Sequence, residues 1–197
     1  AGNRLLDEGR GGIYLANEIA KLDNPLTISV VFDDVVWNGL AADNRYPPCM
    51  NPAFVNEGGT VYEADSLETL AEQINVPGEA LAMTVATFNN ALEGGVLASL
   101  DPIRTTDVVP AHPIQTPPFH AIELCAGITY TMGGLAIDAQ SRALDTSGAP
   151  IAGLYAAGSA TGGIEGGPNA AYLGGLSKAV ITGLRAAECI AESSAIM

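Results

Sequence analysis

Hydrophobic positions along the chain follow two spacings, continuous β-branched runs and helical three-four repeats, and each predicts a different element. Residues 26–32 (LTISVVF) form a run that predicts a buried strand, closed by Asp33 and Asp34. A loop rich in Pro, Asn and Gly follows over 38–59. Asp65, with Glu68 three residues on, has the form of a capping box, and the helix it opens turns Leu67, Leu70, Ala71 and Ile74 to one face. Pro77 opens a second helix with Leu81, Val85, Phe88 and Leu92 aligned, and Gly94-Gly95 ends it. Residues 96–118 carry five prolines from Pro102 onward and predict no regular element. Residues 119–124 read as a strand. A β-region follows over 128–138 and 143–154, turning at Ser147-Gly148-Ala149-Pro150. The last helix is expected over about 175–192, with Leu176, Val180, Leu184, Ala187 and Ile190 inward.

Segment 126–179 breaks with this ordinary pattern. An apolar strand (Leu154, Tyr155, Ala156, Ala157) runs into Gly158-Ser159, and further glycine pairs follow, the last opening the final helix. Chains become this poor in side chains where backbone must approach a large flat ligand. A helix beginning at Gly174-Gly175, with Leu176 and Ser177 in its first turn, presents free N–H groups and the positive end of its dipole. That geometry suits a dinucleotide, and a flavin in particular, because reduced flavin carries negative charge that a helix N-terminus stabilises.

Composition narrows the function. The 197 residues carry 22 acids against 8 bases, a formal charge of −14, which repels phosphate backbones and argues against nucleic acid as a partner. Cys49, Cys125 and Cys189 show no CxxC spacing and read as reduced thiols; with His112 and His120 they make no metal cluster. No apolar run is long enough to span a bilayer. The opening Ala1-Gly2-Asn3-Arg4 reads as internal to a longer polypeptide, and a cytoplasmic location is expected.

Thr131-Met132-Gly133-Gly134 is followed by Ala136-Ile137-Asp138, then by Ile151-Ala152-Gly153-Leu154-Tyr155-Ala156-Ala157-Gly158, Thr161-Gly162-Gly163 and Leu173-Gly174-Gly175. In this order the motifs resemble the flavoprotein family that contains fumarate reductases, succinate dehydrogenase flavoprotein subunits and 3-ketosteroid Δ1-dehydrogenases. Upstream, Gly2-Asn3-Arg4-Leu5-Leu6-Asp7-Glu8, Val31-Phe32-Asp33, the helix start at 64–71 and Pro118-Phe119-His120-Ala121-Ile122 fall in family order. The resemblance implies an α+β capping domain (1–131) followed by the C-terminal part of an α/β glutathione-reductase-type FAD-binding domain (132–197). It implies FAD as cofactor, held by Gly133, Gly134, Gly158, Ser159, Gly174, Gly175, Leu176 and Ser177. The family's G-x-G-x-x-G turn, which holds the pyrophosphate, is not in this sequence. A partner is therefore expected: the N-terminal half of the FAD domain, or a separate subunit.

For catalysis the resemblance implies Tyr130, Tyr172, Glu8, Arg10 and Arg45. Fumarate reductases carry histidine before T-M-G-G and arginine before L-G-G, both on substrate carboxylate; Tyr130 and Tyr172 stand there in this chain. Neither is cationic at neutral pH, so a ketone is expected in preference to fumarate. Tyrosine before the last glycine pair is similar to the ketosteroid dehydrogenases, where phenols polarise a ketone. Glu8 matches the family's proton-relay acid, with Arg10 two residues on. The family's catalytic arginine has no counterpart at 33–37, and Arg45 is the nearest. Ser159 stands where relatives carry an acid. Two expectations result: part of an FAD-dependent oxidoreductase acting on a CH–CH bond of a small-molecule substrate, or a non-catalytic relative that acts through association.

Overall fold

The computed structural model describes residues 2–43, 50–127, 132–163 and 175–194, which fall into two compact units, Ala1–Ala126 and Gly127–Met197. The first contains α1 (Gly12–Ile19), β1 (Ile28–Asp33), α2 (Asp34–Asn38), α3 (Met50–Asn56), β2 (Tyr62–Ala64), α4 (Leu67–Gln73), α5 (Gly78–Glu93) and β3 (Phe119–Leu124). Its sheet is antiparallel in the order β1-β3-β2, with Val31 and Tyr62 both opposite Ala121. The late strand occupies the centre. The chain must therefore return through its proline-rich segment, and side chains fix that segment in the absence of a ladder. Asn89 on α5 exchanges two hydrogen bonds with the backbone of Ile114. The buried Asp33 carboxylate caps α2 through the Val36 N–H and accepts from the Gln115 and Thr116 N–H groups. One acid thus ends a strand, starts a helix and holds a loop.

The apolar faces foreseen for α4 and α5 form the core of this unit. Leu70 and Ala121 are fully buried with Ala64, and Ala71, Leu81 and Val85 pack under Val31, Leu67 and Ile74. His120 on the central strand is 1% exposed and stacks on Phe32 (5.6 Å, 17°) beside Trp37. Its ring nitrogens have no hydrogen-bond partner among the described residues, and the nearest carboxylate oxygens are those of Asp34 at 3.6 Å and Glu63 at 3.7 Å.

One helix start differs from the sequence expectation. Ser66, not Asp65, caps α4: its backbone is extended and its hydroxyl oxygen accepts from the Thr69 N–H at 3.1 Å. Glu68 consequently falls at the second helical position, one short of the place a capping box requires. Ser66→Ala is expected to cost about 1 kcal/mol in urea unfolding, and Asp65→Ala close to nothing.

The second unit contains β4 (Arg142–Leu144), β5 (Pro150–Tyr155) and α6 (Gly175–Ser194). β4 and β5 pair antiparallel around a turn organised by Asp145, whose Oδ1 accepts from the Ser147 and Ala149 N–H groups and the Ser147 hydroxyl. α6 overturns the expected inward stripe. Leu176 is 85% exposed, Val180 67% and Leu184 56%, with Ala187 and Ile190 also exposed; the buried side chains are Lys178 and Thr182. The helix packs through its polar, small-residue face because its neighbour is a glycine turn whose polar backbone needs partners. Among the described residues no helix is long and apolar enough to cross a membrane.

Candidate cofactor site

β5 delivers the chain to Ala156, whose N–H bonds to the Ser141 carbonyl, and then to a single 3-10 turn at Gly158–Ala160. Gly158 has φ +61°, a conformation that favours glycine. Its carbonyl accepts from both the N–H and the hydroxyl of Thr161, which is fully buried. On the α6 side, the Gly158 N–H donates to Thr182 Oγ1 at 2.9 Å, and Lys178 Nζ donates to the Thr161 carbonyl at 2.9 Å. On the opposite side, Leu135 bridges the same turn in parallel: its N–H donates to Ala160 O and its carbonyl accepts from the Gly162 N–H, each at 2.9 Å. The turn is therefore held from two sides.

The glycines divide into two kinds. A Cβ at Gly134 would stand 2.6 Å from the Ala160 carbonyl oxygen, and one at Gly162 would stand 2.5 Å from the Gly134 nitrogen. These two are small so that two backbones can touch. Among the described residues, an added Cβ at Gly133 or Gly163 would meet nothing within 4 Å. At Gly163 the backbone itself favours glycine, with φ +83°; Gly133 has no such reason among the described residues and leaves an open edge that a flat ring system can cover. The turn's own amides are used inside the unit: the Gly158 N–H on Thr182 Oγ1, the Thr161 N–H on Gly158 O and the Gly162 N–H on Leu135 O. Shape, rather than free turn donors, is what fits a flavin nucleotide here.

The sequence-predicted residues are distributed as follows. Gly133, Gly134, Gly158 and Ser159 come together in this turn, with Ser159 exposed. Gly158 contributes shape rather than a donor, since Thr182 takes its N–H. Gly175 begins α6, with Leu176 and Ser177 exposed in its first turn. Gly174, Tyr130, Tyr172 and Arg45 lie outside the described residues. Glu8 and Arg10 belong to the first unit. Glu8 accepts from Arg4 Nε and Nη2 at 3.0 and 2.7 Å, with Arg104 Nε at 3.6 Å, while the Arg10 guanidinium lies over the Tyr14 ring at 4.0 Å.

Beside Glu8, Asp7 is buried and accepts from the N–H groups of Gly9 and Thr105 and from the Thr105 hydroxyl. Burial pushes the Asp7 carboxyl up, but the Thr105 and Gly9 bonds, aided by the Arg104 charge, outweigh it and hold it below the usual range. This acid therefore sets the backbone on which Glu8 stands.

Three residues of the turn escape sequence reasoning: Thr161, Lys178 and Thr182. The available signal was a lysine and a threonine four apart on one face of a helix otherwise rich in aliphatics. No group of His, Cys, Asp or Glu among the described residues could hold a metal ion, and Cys125 and Cys189 are free. The Tyr155 hydroxyl lies 3.6 Å from Cys189 Sγ, a hydrogen bond that raises its pKa.

A strand feeding a glycine turn gripped by a following helix defines a nucleotide-cofactor fold. Comparison with known proteins makes it specific. The model of the FAD binding domain family matches residues 7–175. The 4-oxocyclohexanecarboxylate 2-dehydrogenase of Sinomonas cyclohexanicum is 32% identical over 178 residues, 81% of this chain and 30% of that protein. The fumarate reductase (cytochrome) of Shewanella frigidimarina is 30% identical over 177 residues, 84% of this chain and 28% of that protein. The crystal structure of 3-ketosteroid Δ1-dehydrogenase from Sterolibacterium denitrificans superposes with a TM-score of 0.67 at 25% identity, over 98% of this chain and 37% of that one.

The chain belongs to the FAD binding domain family. It spans about a third or less of these relatives, and as little as 10% of another.

Proposed function

We propose that this chain is part of an FAD-dependent oxidoreductase that moves hydride between flavin and an activated carbon–carbon bond, with a ketone-activated substrate favoured over fumarate. The observation that carries the reading is the open edge at Gly133 among the described residues, beside Gly134 and Gly162, whose smallness is spent on backbone contact. Bound FAD supplies the hydride donor and acceptor; the residues of this chain bind, orient and move protons. The second unit holds the flavin along its open glycine edge and at the start of α6. The first unit is the cap over the substrate. In it Glu8, held by Arg4 and placed by Asp7, passes protons with Arg10, and Arg45 stands in for the family's catalytic arginine. Tyr130 and Tyr172 act as phenol donors to a carbonyl. The substrate preference rests on those two positions, and on similarity to proteins named as dehydrogenases of cyclic ketones.

The partner follows from α6. Its exposed Leu176, Val180, Ile181 and Leu184 form an apolar face that water-exposed helices rarely carry, and the remaining part of an FAD domain is the cover that fits. Purified alone, the chain is expected to be colourless, because no G-x-G-x-x-G turn is present to bind pyrophosphate. Co-expressed with the N-terminal half of a family FAD domain, it is expected to gain a visible flavin absorbance band and to reduce a dye with a cyclic ketone as donor. Full flavin loading without dehydrogenation or alkene reduction would refute the enzymatic reading.

A second reading has one specific observation behind it. By the family resemblance Ser159 stands where relatives carry an acid, and it is exposed. A non-catalytic chain that works by association would then load flavin poorly even with its partner present. Ser159→Glu distinguishes the two: improved flavin retention supports the degenerate relative, unchanged retention the enzyme.

A further inference from the structure

We infer that Lys178 is a positioning residue of the flavin site: its buried ammonium pins the Thr161 carbonyl and so holds the glycine turn in the shape that meets the cofactor. The inference rests on the reading of that turn as one wall of the FAD site. Lys178 is 6% exposed on a helix whose Leu176 is 85% exposed. Withdrawing an ammonium from water is unfavourable unless its N–H groups are used, so an aliphatic side chain would fill the same place at lower cost. The lysine is there for what it donates.

Its bond to the Thr161 carbonyl closes a ring of contacts. Thr161 donates N–H and hydroxyl to Gly158 O; the Gly158 N–H donates to Thr182 Oγ1; the Thr182 hydroxyl donates to the carbonyl of Lys178 itself at 2.6 Å. The Gly158–Thr182 and Lys178–Thr161 links join the turn to α6, where Gly158 approaches Ala179 so closely that a Cβ would stand 3.3 Å from its methyl. Leu135 holds the opposite side. The edge left over, among the described residues, is the one with open space at Gly163. Lys178 is the member that ties the far end of the turn to the helix, because Thr161 is three residues beyond the Gly158–Thr182 bond.

The test has two arms. In the chain itself, Lys178→Met is expected to raise amide hydrogen exchange at Gly158 and Gly162 about tenfold, the loss of one charge-assisted hydrogen bond, with β3 unchanged. In the FAD-loaded complex with the N-terminal half, the same variant is expected to weaken FAD binding about tenfold, and Lys178→Arg, which keeps a cationic donor, to restore most of both effects. A merely space-filling lysine predicts that Met serves as well as Arg. Wild-type exchange rates at the turn in Lys178→Met, or equal FAD affinity in the two variants, would overturn the inference. Should the wild-type complex itself take up no FAD, the site reading fails and the flavin role with it, whereas wild-type uptake with an indifferent Lys178→Met removes the lysine alone.

Discussion

Replacing Asp7 by alanine is expected to destabilise the unit Ala1–Ala126 by about 3 kcal/mol, measured by urea unfolding. The residue is 7% exposed and accepts three hydrogen bonds, two from backbone N–H groups and one from the Thr105 hydroxyl. Thr105 lies 98 positions from Asp7, so the carboxylate links the beginning of the chain to the proline-rich return. Alanine leaves the Gly9 and Thr105 N–H groups buried without that acceptor, which costs more than losing the bonds alone. Asp7→Asn keeps an acceptor oxygen and loses the charge beside Arg104, so a smaller loss is expected.

The pH dependence has a definite sign. Because the folded carboxyl titrates below its unfolded value of about 3.9, the Asp7 contribution is complete above that pH. It is lost as pH falls through the lower folded value. Wild-type protein should therefore weaken in acid more steeply than Asp7→Asn, and parallel acid-denaturation curves would contradict the clamp. A consequence for chemistry follows if Glu8 moves protons as proposed: it does so from a backbone that Asp7 holds, and Asp7→Ala should lower turnover without touching substrate.

Gly162→Ala is the second large effect expected, a loss of about 2–3 kcal/mol in the unit Gly127–Met197 together with loss of flavin uptake in the reconstituted protein. The added methyl would stand 2.5 Å from the Gly134 nitrogen and 2.8 Å from its carbonyl oxygen. Both atoms are backbone, so no rotamer change relieves the contact. The segments must separate, and the two Leu135 bonds that bridge them go with the separation. Gly133→Ala is the control, one residue from the Gly134 contact. With nothing among the described residues within 4 Å of its Cβ, stability should stay within about 0.5 kcal/mol. Its effect, if the open edge faces the flavin, should fall on FAD affinity alone. Equal damage from the two substitutions would mean that the two glycine segments are not sorted as described.

Much of the first unit was legible in advance. The span 119–124 and the helical face Leu70, Ala71, Leu81 and Val85 could be read from spacing, because local periodicity and core burial agree there. The α4 cap shifted by one residue, since both Asp65 and Ser66 can cap and only the direction of the preceding strand selects between them. The motif order also located the glycine turn and the family. What could not be read was the use of each glycine: sequence marks all of them as small, while the distinction between Gly134 and Gly133 depends on a second strand arriving from elsewhere.

The order of elements, the absence of side chains around the turn and the kinship with FAD-binding proteins were written in the one-dimensional pattern, because each depends on residues near one another in the chain. Which face of α6 turns inward was decided only by tertiary structure. An apolar stripe states that a helix has something to bury, not what lies beside it. Here the neighbour is a polar backbone turn with a carbonyl and an amide to satisfy, so Lys178 and Thr182 turn toward it and the aliphatic side is left exposed.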